Sequence, residues 1–239
     1  MWLFSNRVPV KDSGLLEGFR DCHCHLLPEV DDGVQEMDET MQILKEWESL
    51  GMKDVWLTPH IMEDIPNEPS ELKQRFTELQ QQYTGAVSLH LAAEHMMDGL
   101  FLKRLAADEV LPIGADGTRL LVETSYYTPP MNMADVIERI KAKGYEPILA
   151  HPERYQYMDK TDYKRWKQRG LLLQLNLPSL VGAYGPGVQW KAEWLLKENM
   201  YDYCGSDTHS TNQVEMFLNS EISKKTVKMI KNIAEKQEL

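Results

Sequence analysis

Cysteine, long apolar runs and an excess of positive charge are all scarce in this sequence of 239 residues. Three cysteines, with Cys22 and Cys24 one residue apart, make a poor disulfide framework. No apolar run approaches the roughly 20 residues that a membrane-spanning helix needs. The formal net charge of −11 argues against a surface for nucleic acid or anionic membranes. We therefore expect neither nucleic-acid binding nor direct membrane insertion.

No signal-peptide pattern is expected at the amino terminus. The opening stretch MWLFSNRVPVKDSG is interrupted by Asn6, Arg7 and Pro9 before an apolar core could form. We expect an acidic globular protein of the cytoplasm. A chain of this length can fold as one α/β barrel or as two small domains, and either would bury a substantial core.

Short apolar segments alternate with amphipathic ones along the chain. The strand candidates are FRDCHC, DVWLTP, VSLHLAA, RLLVETS, EPILAH, LLLQLNL and YDYCGS. The clearest helical patterns between them are MDETMQILKEWESLG, SELKQRFTELQQQY and MADVIERIKAKG, whose apolar residues recur on one stripe. Because parallel strands need helical crossovers, this alternation predicts an α/β fold with a mostly parallel sheet. One barrel fits the pattern better than two domains, and an open doubly wound sheet is the alternative.

Side chains that can bind metals follow the strand candidates. Six of the seven segments place His, Asp or Glu at or just after their carboxyl end. These residues are His23, His25, His60, Glu94, Glu123, His151, Asp207 and His209. A core histidine could explain any one of them, but in α/β barrels the carboxyl ends of the strands form the active face. Their convergence predicts one shared site.

The stretch RDCHCHLLPEVDDG, residues 20–33, holds the first two histidines of that set. Because side chains alternate along a strand, we expect Asp21, His23 and His25 on one face. Cys22 and Cys24 would then share the other face and pack toward the helices. No second Cys/His pair at finger spacing supports a zinc finger. No cysteine precedes a glycine-rich loop with an arginine, so a thiolate phosphatase is not expected either.

The types of ligand indicate the chemistry of the site. Imidazole and carboxylate without thiolate suit Mn, Fe or Zn. With Asp32 of the DDG stretch as a further ligand, the set is too large for one ion and would fill two or three catalytic sites. Such ions activate water and hold phosphate oxygens, so we expect hydrolysis of a phosphate ester. Amidohydrolase-type barrels also begin with His-x-His, but they carry a carboxylated lysine at strand four, where LLVETS has Glu123 and no lysine.

Six motifs, in order and at suitable spacing, resemble those of the PHP (polymerase and histidinol phosphatase) superfamily. They are DCHCHLLPEVDDG, TPH, AAEH, LLVETS, AHPERY and GSDTH. Within that superfamily the chain looks like the bacterial metal-dependent protein-tyrosine phosphatases of the CpsB/CapC type, over residues 19–210. The resemblance implies a distorted (β/α)7 TIM-like barrel. We expect a single barrel domain over residues 19–239, after an N-terminal extension of residues 1–18. The implied activity is dephosphorylation of phosphotyrosine on the cytoplasmic tail of a tyrosine kinase that controls capsular or extracellular polysaccharide export.

The resemblance also implies roles for individual residues. The metal ligands would be His23, His25, Asp32, His60, Glu94, Glu123, His151, Asp207 and His209. They would hold two to three divalent metal ions, most naturally manganese, with iron and zinc as alternatives. Arg154 of HPERY would bind the substrate phosphate, a role that suits a planar, permanently charged side chain. Asp207 and His209 would join it as catalytic residues.

One family feature is missing from the chain. Members often carry a second arginine shortly beyond the Asp-x-His pair, where this sequence has Val214 in STNQVEM. Phosphate binding would then depend on Arg154 and the metals. Two other functions stay open: hydrolysis of a small phosphomonoester such as histidinol phosphate, and a metal-bound scaffold that holds a kinase tail without cleaving it.

Several further residues have open roles. His90 is expected in the core, and His95 either reaches the site or caps its rim. Asp21 could support the histidines from outside the metal site, and Asn176 either faces the site or begins a turn. Four tyrosines near strand ends would flank an aromatic substrate, or are ordinary loop residues: Tyr126, Tyr127, Tyr155 and Tyr184.

Overall fold

The computed structural model describes residues 7–237 and 239. Its strands are β1 (Arg7–Pro9), β2 (Arg20–Cys24), β3 (Asp54–Leu57), β4 (His60–Ile61), β5 (Ser88–Leu91), β6 (Glu94–Met96), β7 (Arg119–Glu123), β8 (Glu146–Leu149), β9 (Leu172–Asn176), β10 (Tyr203–Gly205) and β11 (Glu221–Ser223). Its helices are α1 (Met37–Ser49), α2 (Pro69–Gln82), α3 (Gly99–Ala107), α4 (Met133–Ala142), α5 (Lys160–Gln168), α6 (Pro186–Lys197), α7 (Thr211–Asn219) and α8 (Lys224–Ala234). Short 3-10 helices cover Val10–Asp12, Pro152–Arg154 and Leu177–Val181.

The seven predicted strands are all present, and two of them are interrupted. The second runs as β3 and β4, separated by Thr58 and Pro59, and Pro59 has no N–H to donate to a neighbouring strand. The third runs as β5 and β6, separated by Ala92 and Ala93. The Ala93 N–H donates away from the neighbouring strands, to the carbonyl of Leu111 at 3.2 Å. Each interruption lies just before a predicted metal ligand.

Two parallel sheets form the centre of the molecule. One has the order β2-β3-β5, and the other has the order β10-β9-β8-β7-β6-β4. Because β4 and β6 continue β3 and β5 along the chain, the sheets share a single succession of strands from β2 to β10. β1 and β11 form a separate antiparallel pair. The predicted α/β class and mostly parallel sheet are confirmed.

The succession curves until its first and last strands lie side by side. The His25 N–H donates to the carbonyl of Thr208 at 2.8 Å, and the Asp207 N–H donates to the carbonyl of His23 at 2.7 Å. Gly205 of β10 sits so close to β2 that a Cβ there would lie 2.7 Å from the Cβ of His23. Only glycine permits this approach without a shift of the backbone. The residues after β10 are therefore held against the end of β2.

The core follows the alternation of side chains along the strands. Leu120, Val122 and Leu149 belong to a large buried cluster that also takes in residues of the helices. Leu121 and Ile148, which alternate with them, belong to a smaller cluster. Helix α4 shows how the outer layer forms, because its apolar stripe buries Val136, Ile137 and Ile140.

The expected common orientation of Cys22 and Cys24 is wrong. Cys24 packs in the large cluster, whereas Cys22 packs in the smaller one against Trp56 and neighbouring strands. The pairing of β2 with β3 shifts register between Asp21 and Cys24, which breaks the simple alternation. Both thiols are buried and free, as is Cys204, so their expected role as packing residues stands.

The region before β2 packs onto the rest of the chain. β1 pairs with β11, the Val10 N–H donates to the carbonyl of Ser220 at 2.9 Å, and Val10, Leu15 and Leu16 belong to the large core cluster. The division into an extension (residues 1–18) and a domain (residues 19–239) stays a prediction, and residues 1–6 lie outside the described part. Among the described residues, no helix is long and apolar enough to cross a membrane.

Candidate metal centre

The predicted ligands lie together at the carboxyl ends of the strands. His23 is the penultimate residue of β2, Glu123 ends β7, and His151 follows β8. His60 and Glu94 begin β4 and β6, directly after the interruptions. These interruptions place a side chain from each of two strands at the same edge of the sheet as the others.

All nine predicted ligands fall into four overlapping groups. Within each group the candidate ligand atoms lie within 4.8 Å of one another. The groups are His25, Asp32, His60 and His209; His23, His25 and Asp207; His23, Glu94 and His151; and His60, Glu94 and Glu123. Their overlap places several possible ion positions side by side.

Glu94 lies close to four of the candidate imidazole ligands. Its Oε2 lies 3.2 Å from His23 Nε2, 3.4 Å from His25 Nε2 and 3.2 Å from His60 Nδ1. Its Oε1 lies 2.9 Å from His151 Nε2. The side chain is fully buried, its two oxygens face different imidazoles, and it belongs to two of the four groups. A carboxylate placed in this way is suited to bridge two cations.

Asp207 links the ligand groups to the predicted phosphate-binding arginine. Its Oδ1 faces His23 and His25 at 3.4 and 3.5 Å. Its Oδ2 accepts hydrogen bonds from Arg154 Nη1 at 2.8 Å and from Asn176 Nδ2 at 2.7 Å. Asn176, whose role the sequence left open, therefore faces the site.

Asp207 and His151 both have left-handed backbone conformations, with φ of 51° and 33°. Such angles are uncommon for residues with a Cβ and cluster at functional sites. Each occurs just after a strand, where the chain turns away from the sheet edge. The turns hold the two side chains over the ends of β8 and β10.

Buried opposite charges dominate the electrostatics. Burial alone would lower the pKa of His23, but the carboxylates of Glu94 and Asp207 outweigh it and raise that pKa to about 9. Burial acts the other way on Asp207, yet the neighbouring imidazoles and Arg154 hold its pKa well below the usual range. The pKa of His209 falls to about 4, through burial and the nearby His25. Despite burial, the imidazoles around Glu94 likewise lower its pKa, so the carboxylates of Glu94 and Asp207 stay ionised and favour positive charge beside them.

The outer partners of the histidines fit a metal centre. Asp31 Oδ2 lies 2.8 Å from His25 Nδ1, Gln174 Oε1 lies 3.1 Å from His23 Nδ1, and the carbonyl of Asp207 lies 2.8 Å from His209 Nδ1. Each contact occupies Nδ1 and leaves Nε2 directed at the groups. Metal-binding histidines show this pattern, because the outer acceptor fixes the tautomer and the orientation of the ring.

Unsatisfied nitrogens supply a second test of fit. His60 Nδ1 is buried without a hydrogen bond, 3.2 Å from Glu94 Oε2 and 3.1 Å from Glu123 Oε1. His23 Nε2 and His25 Nε2 lie 3.1 Å apart, so two imidazoles direct ring nitrogens at each other. A cation among these atoms would satisfy them, and imidazole with carboxylate suits Mn, Fe or Zn. The residues present therefore fit divalent metal ions.

Sequence reasoning missed Asp31. The chosen Asp32 is exposed over 66% of its side chain and lies 3.4 Å from His60 Nε2. Asp31 is buried, and its Oδ2 contacts both His25 Nδ1 and the His60 N–H, the latter at 2.9 Å. Because His25 and His60 surround it, its pKa is held below the usual range despite its burial. The DDG doublet was the available signal, but the sequence could not say which aspartate turns inward.

Gln174 was the second residue that the sequence reasoning missed. Its Oε1 also accepts the His151 N–H at 3.1 Å, so it links β2 to the turn after β8. Gln174 is two residues before Asn176 on β9, and both side chains contact site residues. The signal that could have identified it is a glutamine among the leucines of LLLQLNL, a segment in which a polar side chain is expected to be buried; Gln174 is indeed fully buried.

Arg154 is held between two aromatic rings. Its guanidinium carbon lies 4.3 Å from the ring centre of Tyr126 and 4.4 Å from that of Tyr184. The two other tyrosines that the sequence grouped with them behave differently. Tyr127 is 72% exposed, and Tyr155 is buried with its hydroxyl donating to the carbonyl of Ala150. Stacking on both faces fixes the plane of the arginine beside Asp207.

The remaining residues with open roles lie around the centre or away from it. Asp21 Oδ1 accepts the backbone N–H groups of His23 and Ser206, which supports the end of β2 from outside. His95 is buried, accepts the Leu111 N–H and packs against Phe101, so it does not join the ligand groups. His90 is half-buried rather than in the core. Its ring stacks on Trp56, and its Nε2 pairs with Asp54. Val214 is buried in the large core cluster.

One large surface cleft lies away from this site. It has a volume of about 530 Å³ and is lined by Arg119, Glu146 and Tyr203, which begin β7, β8 and β10. It therefore opens at the amino ends of the strands. The ligand groups and Arg154 lie at the carboxyl ends, and we base the functional assignment on them.

The sequence is similar to those of known tyrosine-protein phosphatases. The family described as "Capsular polysaccharide synthesis, CpsB/CapC" matches residues 19–236. The tyrosine-protein phosphatase YwqE of Bacillus subtilis is 24% identical over 196 residues, which cover 80% of this chain and 77% of that protein. The tyrosine-protein phosphatase CpsB of Streptococcus agalactiae serotype V is 24% identical over 217 residues, covering 83% of this chain and 86% of that protein.

Solved structures show the same fold. A structure from work on YwqE of Bacillus subtilis and CpsB of Streptococcus pneumoniae, described as unique metal-dependent tyrosine phosphatases, superposes with a TM-score of 0.76 at 22% identity. The match covers 91% of this chain and 86% of that one. A phosphotriesterase homology protein from Escherichia coli, with phosphate in its active site, matches with a TM-score of 0.52 at 10% identity, over 84% of this chain and 85% of that one.

Proposed function

This chain belongs to the CpsB/CapC family, and from that premise we propose that it is a metal-dependent tyrosine-protein phosphatase. The observation that carries the proposal is the convergence of nine candidate ligands into four overlapping groups beside Arg154. A phosphate ester placed there would contact the bound metal ions as well as a permanently charged guanidinium. We propose further that the protein acts in the cytoplasm, on the phosphotyrosine-bearing tail of a bacterial tyrosine kinase that controls capsular or extracellular polysaccharide.

The fold proposal is a distorted (β/α)7 TIM-like barrel of the PHP type, built from residues 19–239. The strand order from β2 to β10 supports it, as do the hydrogen bonds between His23 or His25 and the residues after β10. Two interrupted strands account for the distortion. Residues 1–18 would be an N-terminal extension.

The metal proposal is two to three divalent ions, manganese first, with iron and zinc as alternatives. His23, His25, Asp32, His60, Glu94, Glu123, His151, Asp207 and His209 would hold them. When bound, such ions lower the pKa of water and neutralise phosphate charge. Glu94 would be the best placed bridge, because it is shared by two of the ligand groups.

The side chains of the protein have distinct tasks in this mechanism. Arg154 would bind the phosphate oxygens, and the rings of Tyr126 and Tyr184 keep its plane fixed so that little reorganisation is needed. Asp207 would serve both as ligand and as the acceptor that orients Arg154. His209 is 19% exposed at its side chain, more than the other imidazoles of the groups, and would therefore be the imidazole most accessible to an entering substrate.

The experiment combines elemental analysis with turnover. Purified protein is expected to contain two to three divalent ions per chain, to release phosphate from a phosphotyrosine peptide, to lose activity on chelation and to regain it with manganese. Histidinol phosphate serves as the rival substrate, and faster turnover of it would favour a small-molecule phosphatase. Metal-replete protein that binds the phosphopeptide without releasing phosphate would favour the scaffold. Protein without bound metal, and with no response to added metal, would contradict the proposal.

A further inference from the structure

A second cleft lies next to the candidate metal centre. It lies between the segment that follows β9 and helix α7, and has a volume of about 400 Å³. Two of its lining residues also touch the site. Tyr184 stacks on Arg154, and Gln213 Oε1 accepts the His209 N–H at 2.8 Å. The cleft therefore adjoins the place where the phosphate would bind.

The lining of this cleft is free of fixed charge. Its lining residues include Pro178, Ala183, Met216 and Phe217, and none of the residues that line it is an acid, a lysine, an arginine or a histidine. Four other surface clefts in the described residues each carry both acidic and basic side chains. Met216 is 54% exposed although it is a large apolar side chain. The chain as a whole has a net charge of −11, so an uncharged groove is unusual on its surface and favours binding of an uncharged ligand.

The dimensions of the cleft suit a short peptide. From Gln213 to Ser220 the helix rises by roughly 10 Å, at about 1.5 Å per residue. An extended chain advances by roughly 3.3 Å per residue, so about three residues fit along this wall. Pro178 and Ala183 form the opposite wall. A tyrosine whose phosphate reaches Arg154 would have its neighbouring residues at the mouth of this groove.

We propose that the cleft between residues 178–184 and α7 binds the residues that flank the phosphotyrosine of a protein substrate, and that it selects uncharged, largely apolar flanks. This inference rests on the proposed phosphatase function. Acidic flanks are disfavoured because the cleft offers no basic side chain to offset the cost of removing a carboxylate from water. Tyr184 lies at the junction, with its ring against Arg154 and the cleft beginning beside it.

The test compares a peptide with a small aryl phosphate on the same enzyme. Manganese-loaded protein is assayed with p-nitrophenyl phosphate and with three phosphotyrosine peptides of equal length. One peptide has Leu and Ala on both flanks, one has Glu before the phosphotyrosine, and one has Glu after it. We expect Glu on one flank to lower kcat/KM about five- to tenfold, as loss of a modest binding contact would. Equal turnover of all three peptides would overturn the selection.

Two variants locate the effect in the cleft. Met216→Glu and Ala183→Glu change exposed side chains on opposite walls, so the fold should tolerate both. Each should lower kcat/KM for the apolar-flanked peptide about five- to tenfold more than kcat/KM for p-nitrophenyl phosphate. Because both rates come from the same preparation, partial unfolding lowers them together and leaves their ratio unchanged.

Met131→Glu is the matched control. Met131 is 90% exposed in the segment between β7 and α4, outside the residues that line the cleft. Its ratio of peptide to p-nitrophenyl phosphate turnover should equal that of the unchanged protein. A fall with Met131→Glu and none with Met216→Glu would place the peptide on that other segment and refute the cleft. Wild-type protein that turns over neither substrate would refute the proposed function itself, whereas turnover with unchanged ratios in all variants refutes the cleft alone.

Discussion

The two ends of the parallel strands both carry many charged side chains, but they balance those charges differently. At the amino ends, fixed opposite charges meet. Arg119 lies 3.1 Å from Asp116 and 3.4 Å from Glu146, and Lys167 lies 2.7 Å from Asp202. At the carboxyl ends, Glu94, Glu123 and Asp207 face imidazoles, whose charge depends on bound protons. Only at this second end can a cation replace protons as the partner of the carboxylates, which is why we assign the chemistry there.

The largest effect should come from removing a ligand at the carboxyl ends. His151→Ala leaves Glu94 without one of its imidazole partners. We expect turnover of a phosphotyrosine peptide to fall more than about a hundredfold, beyond the range typical of an outer-shell change. The near-UV circular dichroism should persist, which shows that the fold survives. His90→Ala, a histidine outside the ligand groups, is the control and should keep its activity. Retained turnover in His151→Ala would contradict the assignment of the site.

Arg154→Lys should give the next largest effect. Lysine keeps the charge, but it has neither the planar fork for two phosphate oxygens nor the flat surface that stacks between Tyr126 and Tyr184. We expect kcat/KM to fall about a hundredfold and inhibition by inorganic phosphate to weaken. Bound metal, measured by elemental analysis, should stay at the wild-type level. The same exchange at Arg165, on the exposed side of α5, should change neither quantity. A lysine variant as active as the parent would show that charge alone suffices.

The two neighbouring aspartates should differ in a measurable way. Asp31→Asn removes the carboxylate that holds His25 Nδ1, so metal affinity should fall about 10- to 100-fold. Asp32→Asn should have a smaller effect, because 66% of the Asp32 side chain is exposed and its replacement leaves no buried imidazole without its outer partner. Titration with manganese, followed by activity, measures both. A larger loss in Asp32→Asn would reverse the ranking and make Asp32 the more important residue.

The smallest effect should come from the amino ends. Lys167→Met breaks the ion pair with Asp202, which keeps a hydrogen bond from the Leu173 N–H. We expect the free energy of unfolding to change by less than about 1 kcal/mol, as is usual for partly exposed pairs. Metal content and turnover should be unchanged. Loss of bound metal in this variant would show that the two ends are not independent, and would undermine the comparison.

Much of the site could be predicted because each candidate ligand can be recognised from the short segment of sequence around it. A His, Asp or Glu at a strand end can be recognised from the sequence, and the geometry of parallel strands then brings such residues to one edge. His60 and Glu94 lie in the candidate ligand groups even though neither interruption of their strands was foreseen. Pro59 marks the first interruption, whereas Ala92 and Ala93 carry no comparable signal.

What escaped prediction depends on contacts between distant segments. Cys22 and Cys24 face different clusters because of how β2 pairs with β3, and no alternation within β2 reveals that shift. The Asp31 side chain points inward because its carboxylate interacts with His25 Nδ1 and accepts the His60 N–H. Gln174 contributes through contacts with His23 and His151, from strands that are neighbours only in the folded chain.

The contact between β2 and the residues after β10 has a consequence for synthesis. The Ser206 N–H reaches Asp21 across 185 positions of sequence, so this contact closes one of the longest loops in the chain. Closure over such distances is slow, and it cannot begin before both segments exist. A ribosome must therefore release the chain as far as Asp207 before His23, His25 and Asp207 can meet. Polypeptides terminated before Asp207 would lack this ligand group.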